Sequence, residues 1–453
     1  MTEITADEKS QNGISNNRLS RKRNDWLNFE RNEIFLLISY FFYGIAFANY
    51  EPYAPVWLSQ FFGEDQPFII IGFVTIIPMV MGTIMAPIWG ILADKFGTRK
   101  FVIIGLISFS AMFFSLIFTF NPIYFLSMVL IGYTLGSAAS TNFIVYSTRT
   151  INKPKEIILS KLTITVSLAF VIFSPLAGWI FSHFDNQGAQ EKGMMIQLII
   201  ALVAIAIASI LIFFIKSQKT QQEEIIEEKR EKTSLTKFPY IFLGIMLVTF
   251  FFQFGAGFWA YSGIYFLDTE ALTTLYNSPN KGLYFSIYMI VKTALAVPFS
   301  FLLGRVKSQK KMGLIIAIFT AYMTCVYSLM TIFPKEWYLL IIFYGVPMYP
   351  IYNVFLYSLT ASYSNKQRRA TAFGIFSTIG TLGYVAGILL LGLAADKWIT
   401  GNYAEIFSMF PISIIFAGLA FLTALLFYIF KLRKVDDYLN LNQTPLEENI
   451  ENT

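Results

Sequence analysis

The sequence has little charge, one cysteine and one histidine. Charged residues make up 14% of its 453 residues and hydrophobic residues 55%, whereas a soluble chain carries roughly a quarter charged residues. This composition excludes an ordinary water-soluble fold. A single cysteine permits no internal disulfide, and a single histidine rules out a histidine-built metal site. We therefore expect no metal, no cofactor and no catalytic residue.

Long apolar runs dominate the sequence instead. A bilayer core about 30 Å thick needs about 20 apolar residues per helix, and twelve such runs occur in the chain. We predict an all-α membrane protein with twelve transmembrane helices at residues 34–60, 68–92, 101–120, 123–147, 158–182, 194–215, 238–267, 283–304, 312–333, 337–361, 370–394 and 406–430.

Lysine and arginine lie in short clusters between the apolar runs. With both chain ends in the cytoplasm, 29 of the 34 basic residues lie on the cytoplasmic side and four on the opposite side, as the positive-inside rule favours. We expect a monomeric integral protein of the cell (plasma) membrane, in contact with membrane lipid. The net charge of +6 is then a topology signal, and no nucleic-acid partner is expected.

The predicted helices form two halves. A charged stretch, QQEEIIEEKREK, separates the sixth apolar run from the seventh and is typical of a solvated linker. At an offset near 214 residues, Gly90 corresponds to Gly304 and Gly178 to Gly392, which fits a duplicated architecture. The predicted units are a cytoplasmic tail at 1–33, a six-helix half at 34–215, a cytoplasmic linker at 216–237, a second six-helix half at 238–430 and a cytoplasmic tail at 431–453.

One motif stands after the second predicted helix. The stretch GILADKFGTRK resembles the loop 2-3 motif of the major facilitator superfamily, and the matching residues are Gly90, Leu92, Ala93, Asp94, Lys95, Gly97, Arg99 and Lys100. Physically, Gly97 allows a tight turn, and Asp94 can face a helix N-terminus or an arginine such as Arg149. The resemblance implies a transporter of major facilitator type, in which this loop braces the two halves and biases the conformational equilibrium.

Two weaker stretches echo the same resemblance. GRVKSQKK, residues 304–311, is similar to a second copy of the loop motif that has lost its acidic residue. SPLAGW, residues 174–179, resembles the helix 5 motif of drug antiporters but has Ser174 where glycine is expected.

Two charged residues lie well inside the predicted spans, Glu51 and Lys292. An ionised side chain at bilayer depth costs about 2.5 to 3.5 kcal/mol even on insertion scales, so each should face water, a partner or a neutralising proton. Glu51 precedes Pro52, whose missing N–H favours a kink at that point. We expect Glu51 and Lys292 to serve proton coupling or solute contact, or to pair with each other.

Polar side chains also recur one helical turn apart on several predicted helices. Family members line a central cavity with helices 1, 4, 7 and 10, and these helices, together with helix 8, carry many of the polar residues here. The predicted cavity residues are Tyr53, Asn142, Tyr146, Gln253, Tyr261, Tyr284, Tyr288, Tyr349, Asn353 and Tyr357.

The leading functional prediction is a secondary active transporter that moves a small-molecule solute by alternating access, coupled to protons. No Walker A motif occurs in the sequence, so we expect no ATP-hydrolysing motor in the chain. Lys292 would suit a carboxylate, a sugar or a nucleoside-like solute, whereas Glu51 and the aromatic content of 17% would suit efflux of amphipathic cations by a multidrug antiporter. The rival classes are a membrane-embedded enzyme and a non-transporting receptor.

Overall fold

The structure, a computed structural model, describes most of the predicted helical region. Its described residues are 26, 28–51, 53–54, 68–118, 121–185, 187–215, 239–268, 281–332, 349–364, 368–398 and 410–432. The predicted linker at 216–237 lies outside them, as do most residues of the two predicted tails.

Twelve α-helices make up nearly all of the described structure, and each overlaps one predicted span. They are α1 (Arg31–Tyr50), α2 (Phe68–Phe96), α3 (Thr98–Leu116), α4 (Pro122–Thr150), α5 (Lys155–Asp185), α6 (Gln190–Phe213), α7 (Pro239–Asp268), α8 (Lys281–Leu303), α9 (Gln309–Ile332), α10 (Tyr357–Tyr363), α11 (Arg369–Trp398) and α12 (Phe410–Phe427). Two π-helical segments adjoin these helices, Ile351–Leu356 before α10 and Tyr428–Leu432 after α12.

Most of the described helices have the length and composition of membrane spans. Eight of them are long and apolar enough to cross a membrane. Shorter apolar stretches occur at Ile241–Gly257, Ile290–Leu303 and Ile414–Phe430. The prediction of an all-α fold is confirmed for the described residues, while the count of twelve spans stays a prediction.

Local sequence explains where two of the helices begin. Gly97 separates α2 from α3 with a φ of 97°, a backbone conformation that glycine adopts without a steric penalty. At the start of α4, the side chain of Asn121 accepts hydrogen bonds from the backbone N–H groups of Ile123 and Tyr124, at 3.0 and 3.2 Å. Pro122 follows in the first helical position, where its missing N–H costs nothing.

Two separate clusters of buried apolar side chains lie within the bundle. One is drawn from α1 and α3–α6, which belong to the part we name the N-terminal half (α1–α6), and is centred on rings such as Phe113 and Phe143. The other is drawn from α7–α12, the C-terminal half, and includes Tyr327 and Phe355. Each half therefore has an apolar core of its own.

Helices α2 and α11 form the largest contact between the halves, and α5 and α8 form the next largest. Helix α5 also contacts α10 and the π-helical segment before it. Gly90 of α2 lies so close to α11 that an added Cβ would be 2.5 Å from the carbonyl oxygen of Ala370. A smaller cluster with Ala93, Leu159 and Phe373 fills the space beside this contact. The halves therefore meet with their backbones nearly touching at the end of the bundle that carries the turn between α2 and α3, which we name the loop 2-3 end.

Candidate functional site

A cavity of about 310 Å³ lies between the two halves. Helices α1–α4 line it on one side, and α7 and α11 line it on the other. The described lining residues are Tyr43, Phe47, Glu51, Met79, Gly82, Thr83, Ala86, Phe109, Tyr133, Ser137, Ser140, Thr141, Gln253, Ser377, Thr381 and Tyr384. Glu51 is the one acidic residue among them, and none is basic.

Four aromatic rings form one wall of the cavity. Tyr43, Phe47 and Glu51 follow one another at intervals of four residues, so they share one face of α1 and its end. Phe47 contacts Tyr43 with ring centroids 4.6 Å apart and meets Phe109 edge to face at 5.0 Å. Tyr133 completes the wall, 5.7 Å from Phe109. The carboxyl group of Glu51 therefore lies one helical turn beyond a wall of aromatic rings.

The rest of the lining is more polar. Helix α4 presents Ser137 and Thr141 to the cavity, and Gln253 of α7 faces them from the other half together with Tyr384 of α11. The hydroxyl of Thr141 is buried and has no hydrogen-bond partner within the described residues.

Two of the predicted site residues, Glu51 and Gln253, line the cavity. Glu51 is also solvent-exposed and ends α1, where its backbone N–H donates to the carbonyl oxygen of Phe47 at 2.9 Å.

Several other predicted residues lie elsewhere in the bundle. Tyr53 packs on Phe181 with ring centroids 5.5 Å apart, within the core of the N-terminal half. Asn142 is fully buried and donates its side-chain N–H to the carbonyl oxygen of Ala138 at 2.9 Å, and Tyr146 is buried on the same side of α4. The face of α4 that lines the cavity is thus the neighbouring one.

The remaining predicted cavity residues, Tyr349, Asn353 and Tyr357, lie in and beside the π-helix before α10. A π-helical turn holds more residues than an α-helical turn, so the side chains from Ile351 to Leu356 are rotated about the helix axis relative to the α-helical spacing that the sequence prediction assumed. The hydroxyl of Tyr349 lies 2.5 Å from that of Ser167 on α5, and the ring of Tyr357 stacks at 5.2 Å on Phe373. None of the three is among the described residues that line the cavity.

Lys292 of α8 is half-buried and is not among the described lining residues. The helices that hold Tyr261, Tyr284 and Tyr288 are described, but the side chains of these tyrosines lie outside the described residues.

Asp94 connects the halves at the loop 2-3 end. Its carboxylate accepts hydrogen bonds from the backbone N–H groups of Ala370 and Thr371, at 3.1 and 2.8 Å, and from the Thr371 hydroxyl at 2.7 Å. Arg149 of α4 pairs with the same carboxylate at 2.9 Å and also donates to Thr98. Asp94 thus contacts both of the partners considered from the sequence, a helix N-terminus and Arg149. We name this arrangement the Asp94 clasp.

The other motif residues have different contacts. Arg99 donates to the carbonyl oxygens of Ile212 and Phe213, at 3.3 and 3.0 Å, and so caps the C-terminal end of α6 with a positive charge. Lys95 and Lys100 are exposed.

A buried ion cluster near the start of α1 was not predicted from the sequence. Glu33 is 1% exposed and pairs with Lys153 at 2.5 Å and with Lys161 at 2.6 Å. The ammonium group of Lys161 also lies over the ring of Phe29, 4.1 Å from its centroid. Glu33 belongs to α1, Lys153 to the turn between α4 and α5, and Lys161 to α5. The cluster therefore ties the entry of α1 to α5.

Comparison with known proteins agrees with this architecture. The family model described as Major Facilitator Superfamily matches residues 36–388. The chain is also 27% identical over 222 residues to "Multi-drug resistance efflux pump PmrA" of two Streptococcus pneumoniae strains. That match covers 48% of this chain and 53% of the pump, so the chain spans about half the length of the curated relatives it matches.

Two solved structures have a similar fold. One is the human organic anion transporter MFSD10 (TETRAN), with a TM-score of 0.65 and 14% identity, covering 88% of this chain and 100% of that chain. The other is the proton:xylose symporter XylE bound to 6-bromo-6-deoxy-D-glucose, with the same score and identity, covering 88% of this chain and 95% of that chain. At this identity the likeness concerns the fold alone.

The family match covers well over half of the chain, and the described helices include eight that can cross a membrane. The protein is accordingly an integral membrane protein, and the family that its sequence matches is one of transporters rather than enzymes. On these grounds the chain belongs to the major facilitator superfamily, as its loop 2-3 motif indicated.

Proposed function

We propose that the protein is a proton-coupled secondary transporter that moves a small organic solute by alternating access. The observation that carries this proposal is the cavity between the halves, which holds one acidic residue, Glu51, and no basic residue among its described lining. The solute would bind in this cavity while the halves rock about it, and Glu51 would take up and release the coupling proton.

The cavity chemistry favours an organic cation over an anion. Aromatic rings attract a cation through their negative faces, and Tyr43, Phe47 and Phe109 lie within reach of one another beside Glu51. A proton on Glu51 removes the charge that attracts the cation, so proton and cation compete for the same group. Such competition would produce exchange, with the proton entering as the cation leaves. The partial similarity to a multi-drug efflux pump is in keeping with this direction.

The Asp94 clasp supports the alternating-access part of the proposal. Below the cavity, α2 and α11 touch at successive turns, where Ala86 meets Gly374 and Gly90 meets Ala370. Asp94 follows one turn later with its bonds to the first turn of α11. We propose that these contacts close the cavity toward the loop 2-3 end. Access from that end therefore requires the clasp to break.

Orientation and environment complete the proposal. We propose that the loop 2-3 end faces the cytoplasm, that both termini lie there, and that the protein is a monomer in the plasma membrane, surrounded by lipid. Large apolar side chains such as Trp179 and Phe114 point outward, 63% and 55% exposed, as lipid-facing residues would.

A ligand screen would test the solute class. A compound that binds only the folded protein stabilises it and so raises its melting temperature. At a concentration of 100 times Kd the free energy of unfolding increases by about 2.7 kcal/mol. We expect stabilisation by ethidium, an aromatic cation, and none by benzoate or xylose. Stabilisation by benzoate or xylose without any effect of ethidium would contradict the cation proposal.

Replacing Lys292 with alanine distinguishes the two solute classes. Because Lys292 is not among the described cavity-lining residues, we expect Lys292→Ala to leave ethidium affinity within about twofold, far less than a direct charge contact is worth. The measurement is a titration of ethidium against the purified variant. The contradicting result is that ethidium binds neither the parent nor the variant, while benzoate binds the parent and loses affinity in the variant. The solute would then be a carboxylate recognised by Lys292 and not a cation.

Removing the charge of Asp94 should slow transport but spare binding. Hydrogen bonds to charged groups contribute about 1.5 to 3 kcal/mol, so Asp94→Asn should weaken the clasp and lower the transport rate about tenfold or more. Ethidium affinity should change little because Asp94 lies outside the cavity lining. Lys95→Gln, at the exposed neighbouring residue, is the matched control. Transport kinetics equal to those of the parent in Asp94→Asn would remove the bracing role.

A further inference from the structure

The two largest contacts between the halves correspond to each other at an offset of 214 residues. At the α2–α11 contact, a Cβ added to Gly374 would lie 2.6 Å from the carbonyl oxygen of Ala86. At the α5–α8 contact, the hydroxyl of Ser160 donates to the carbonyl oxygen of Ser300. Gly374 corresponds to Ser160 and Ala86 to Ser300 at this offset. The two contacts are therefore related by internal symmetry at the level of individual residues.

Close to these two contacts, the corresponding residues of the two halves differ in charge. In the N-terminal half, Arg149 pairs with Asp94. The corresponding positions in the C-terminal half are Tyr363 and Ser308, and the Tyr363 hydroxyl donates to the side-chain oxygen of Gln309, next to Ser308. A neutral pair thus stands where the first half has an ion pair. The second loop has no carboxylate to hold the start of α5, as Asp94 holds the start of α11.

Glu156 of α5 provides the carboxylate that the loop after α8 lacks. It lies in the first turn of α5, at the position that corresponds to Ala370 in α11. Its side chain is buried, 7% exposed, and accepts a hydrogen bond from the Ser358 hydroxyl of α10 at 2.7 Å. A negative charge in the first turn of a helix is stabilised by the helix dipole. A carboxylate therefore joins the halves at this contact too, but it lies on the helix and not on the loop, and its partner is a hydroxyl group.

The neighbouring residue adds a second bond between the same two helices. Lys155 donates to the hydroxyl of Ser362 at 2.7 Å, and Ser362 follows Ser358 by one turn of α10. Both bonds join the N-terminal half to the C-terminal half, at the loop 2-3 end. Neither residue lines the cavity within the described residues.

We infer that Glu156 is a positioning residue of the transport cycle, which with Ser358 forms a second clasp that holds the loop 2-3 end closed. This inference rests on the alternating movement proposed above. A rocking movement that opens the loop 2-3 end must break the Glu156–Ser358 bond together with the Asp94 clasp. The two clasps lie on opposite contacts, α5 with α10 and α2 with α11, so each restrains one side of the opening.

A distance measurement between spin labels tests the inference without relying on transport. Labels on Asn152→Cys, in the turn after α4, and Lys307→Cys, in the turn after α8, report the separation of the halves at the loop 2-3 end, since both positions are exposed. Cys325, the single native cysteine, is first replaced by serine. The parent should show mainly the short distance.

Glu156→Gln should increase the long-distance population at least threefold, and Ser358→Ala should act in the same direction. The double variant should add little, because both changes remove the same bond. Glu156→Asp, which keeps a carboxylate in the first turn of α5, should retain most of the closed population. Glu191→Gln is the matched control, since Glu191 lies in the first turn of α6 but is exposed.

A long-distance population in Glu156→Gln equal to that in Glu191→Gln would overturn the inference, provided that Asp94→Asn increases it. Additive effects of Glu156→Gln and Ser358→Ala would also overturn it, because they would mean that the two side chains act separately. The readout is a distance between halves, so a failure of proton coupling at Glu51 would leave it unchanged and would be recognised as a separate result.

Discussion

Replacing Glu51 with glutamine should abolish uphill transport while exchange of solute down its own gradient continues in part. Glutamine keeps the shape of the side chain but cannot titrate, so the proton gradient no longer drives the cycle. Coupling between two ligands typically amounts to 1 to 3 kcal/mol, and we expect the gradient-dependent rate to fall by about a hundredfold, near the top of that range. The measurement is the initial rate of ethidium transport in proteoliposomes, with and without an imposed pH difference.

The control for Glu51→Gln is a cavity variant that leaves the carboxyl group in place. Phe109→Leu removes one ring of the aromatic wall, so it should weaken ethidium binding yet keep the dependence of transport on the pH difference. Uphill accumulation at the parent level in Glu51→Gln, over a range of pH, would show that another group couples transport to protons.

Removing the carboxylate of Glu33 should cause a large loss of stability. Glu33, Lys153 and Lys161 have side chains that are 1%, 8% and 5% exposed, so glutamine would leave two ammonium groups buried without a counter-charge. Breaking a buried ion pair in this way costs about 3 to 5 kcal/mol. For a domain of 150–250 residues this lowers the melting temperature by about 6 to 20 °C, which thermal unfolding in detergent would detect.

Two further variants separate charge from packing in this cluster. The double change Glu33→Gln, Lys161→Met removes one of the stranded charges and should recover part of the lost stability. Glu191→Gln, at an exposed acidic residue, should leave the melting temperature unchanged. If Glu33→Gln melts at the parent temperature, the two lysines are not held by this carboxylate.

The helices and the contacts of Asp94 were predictable from local sequence. Apolar runs of about 20 residues identify helices regardless of how they pack, and the described helices overlap every predicted run. The contacts of Asp94 with Arg149 and with the start of a helix could be anticipated because an acidic residue in this short motif requires a positively charged or N–H partner.

The cavity lining was predictable only in part. Glu51 and Gln253 stand out as polar residues in apolar helices, whereas Ser137 and Thr141 look like the small residues that allow close helix packing. The rotation of an apolar helix about its axis depends on its neighbours, so the choice between the Asn142 face and the Thr141 face of α4 could not be made from composition.

The buried ion cluster shows the limit more plainly. Lys153 and Lys161 fit the positive-inside pattern, and nothing near them in sequence identifies Glu33 as their partner, 120 and 128 residues away. The same holds for the bond between Glu156 and Ser358, which are separated by 202 residues. Pairings over such separations depend on the packing of whole helices, which local patterns do not specify.

Proton movement driven by an organic cation tests the central claim most directly. The protein is reconstituted into liposomes with an acidic interior and a trapped pH-sensitive dye, and ethidium is added outside. We expect ethidium to enter against its gradient while the interior becomes less acidic, with both effects absent in Glu51→Gln and after a protonophore has dissipated the pH difference. Ethidium accumulation that continues unchanged after the protonophore, or that occurs without any change in interior pH, would contradict proton-coupled exchange.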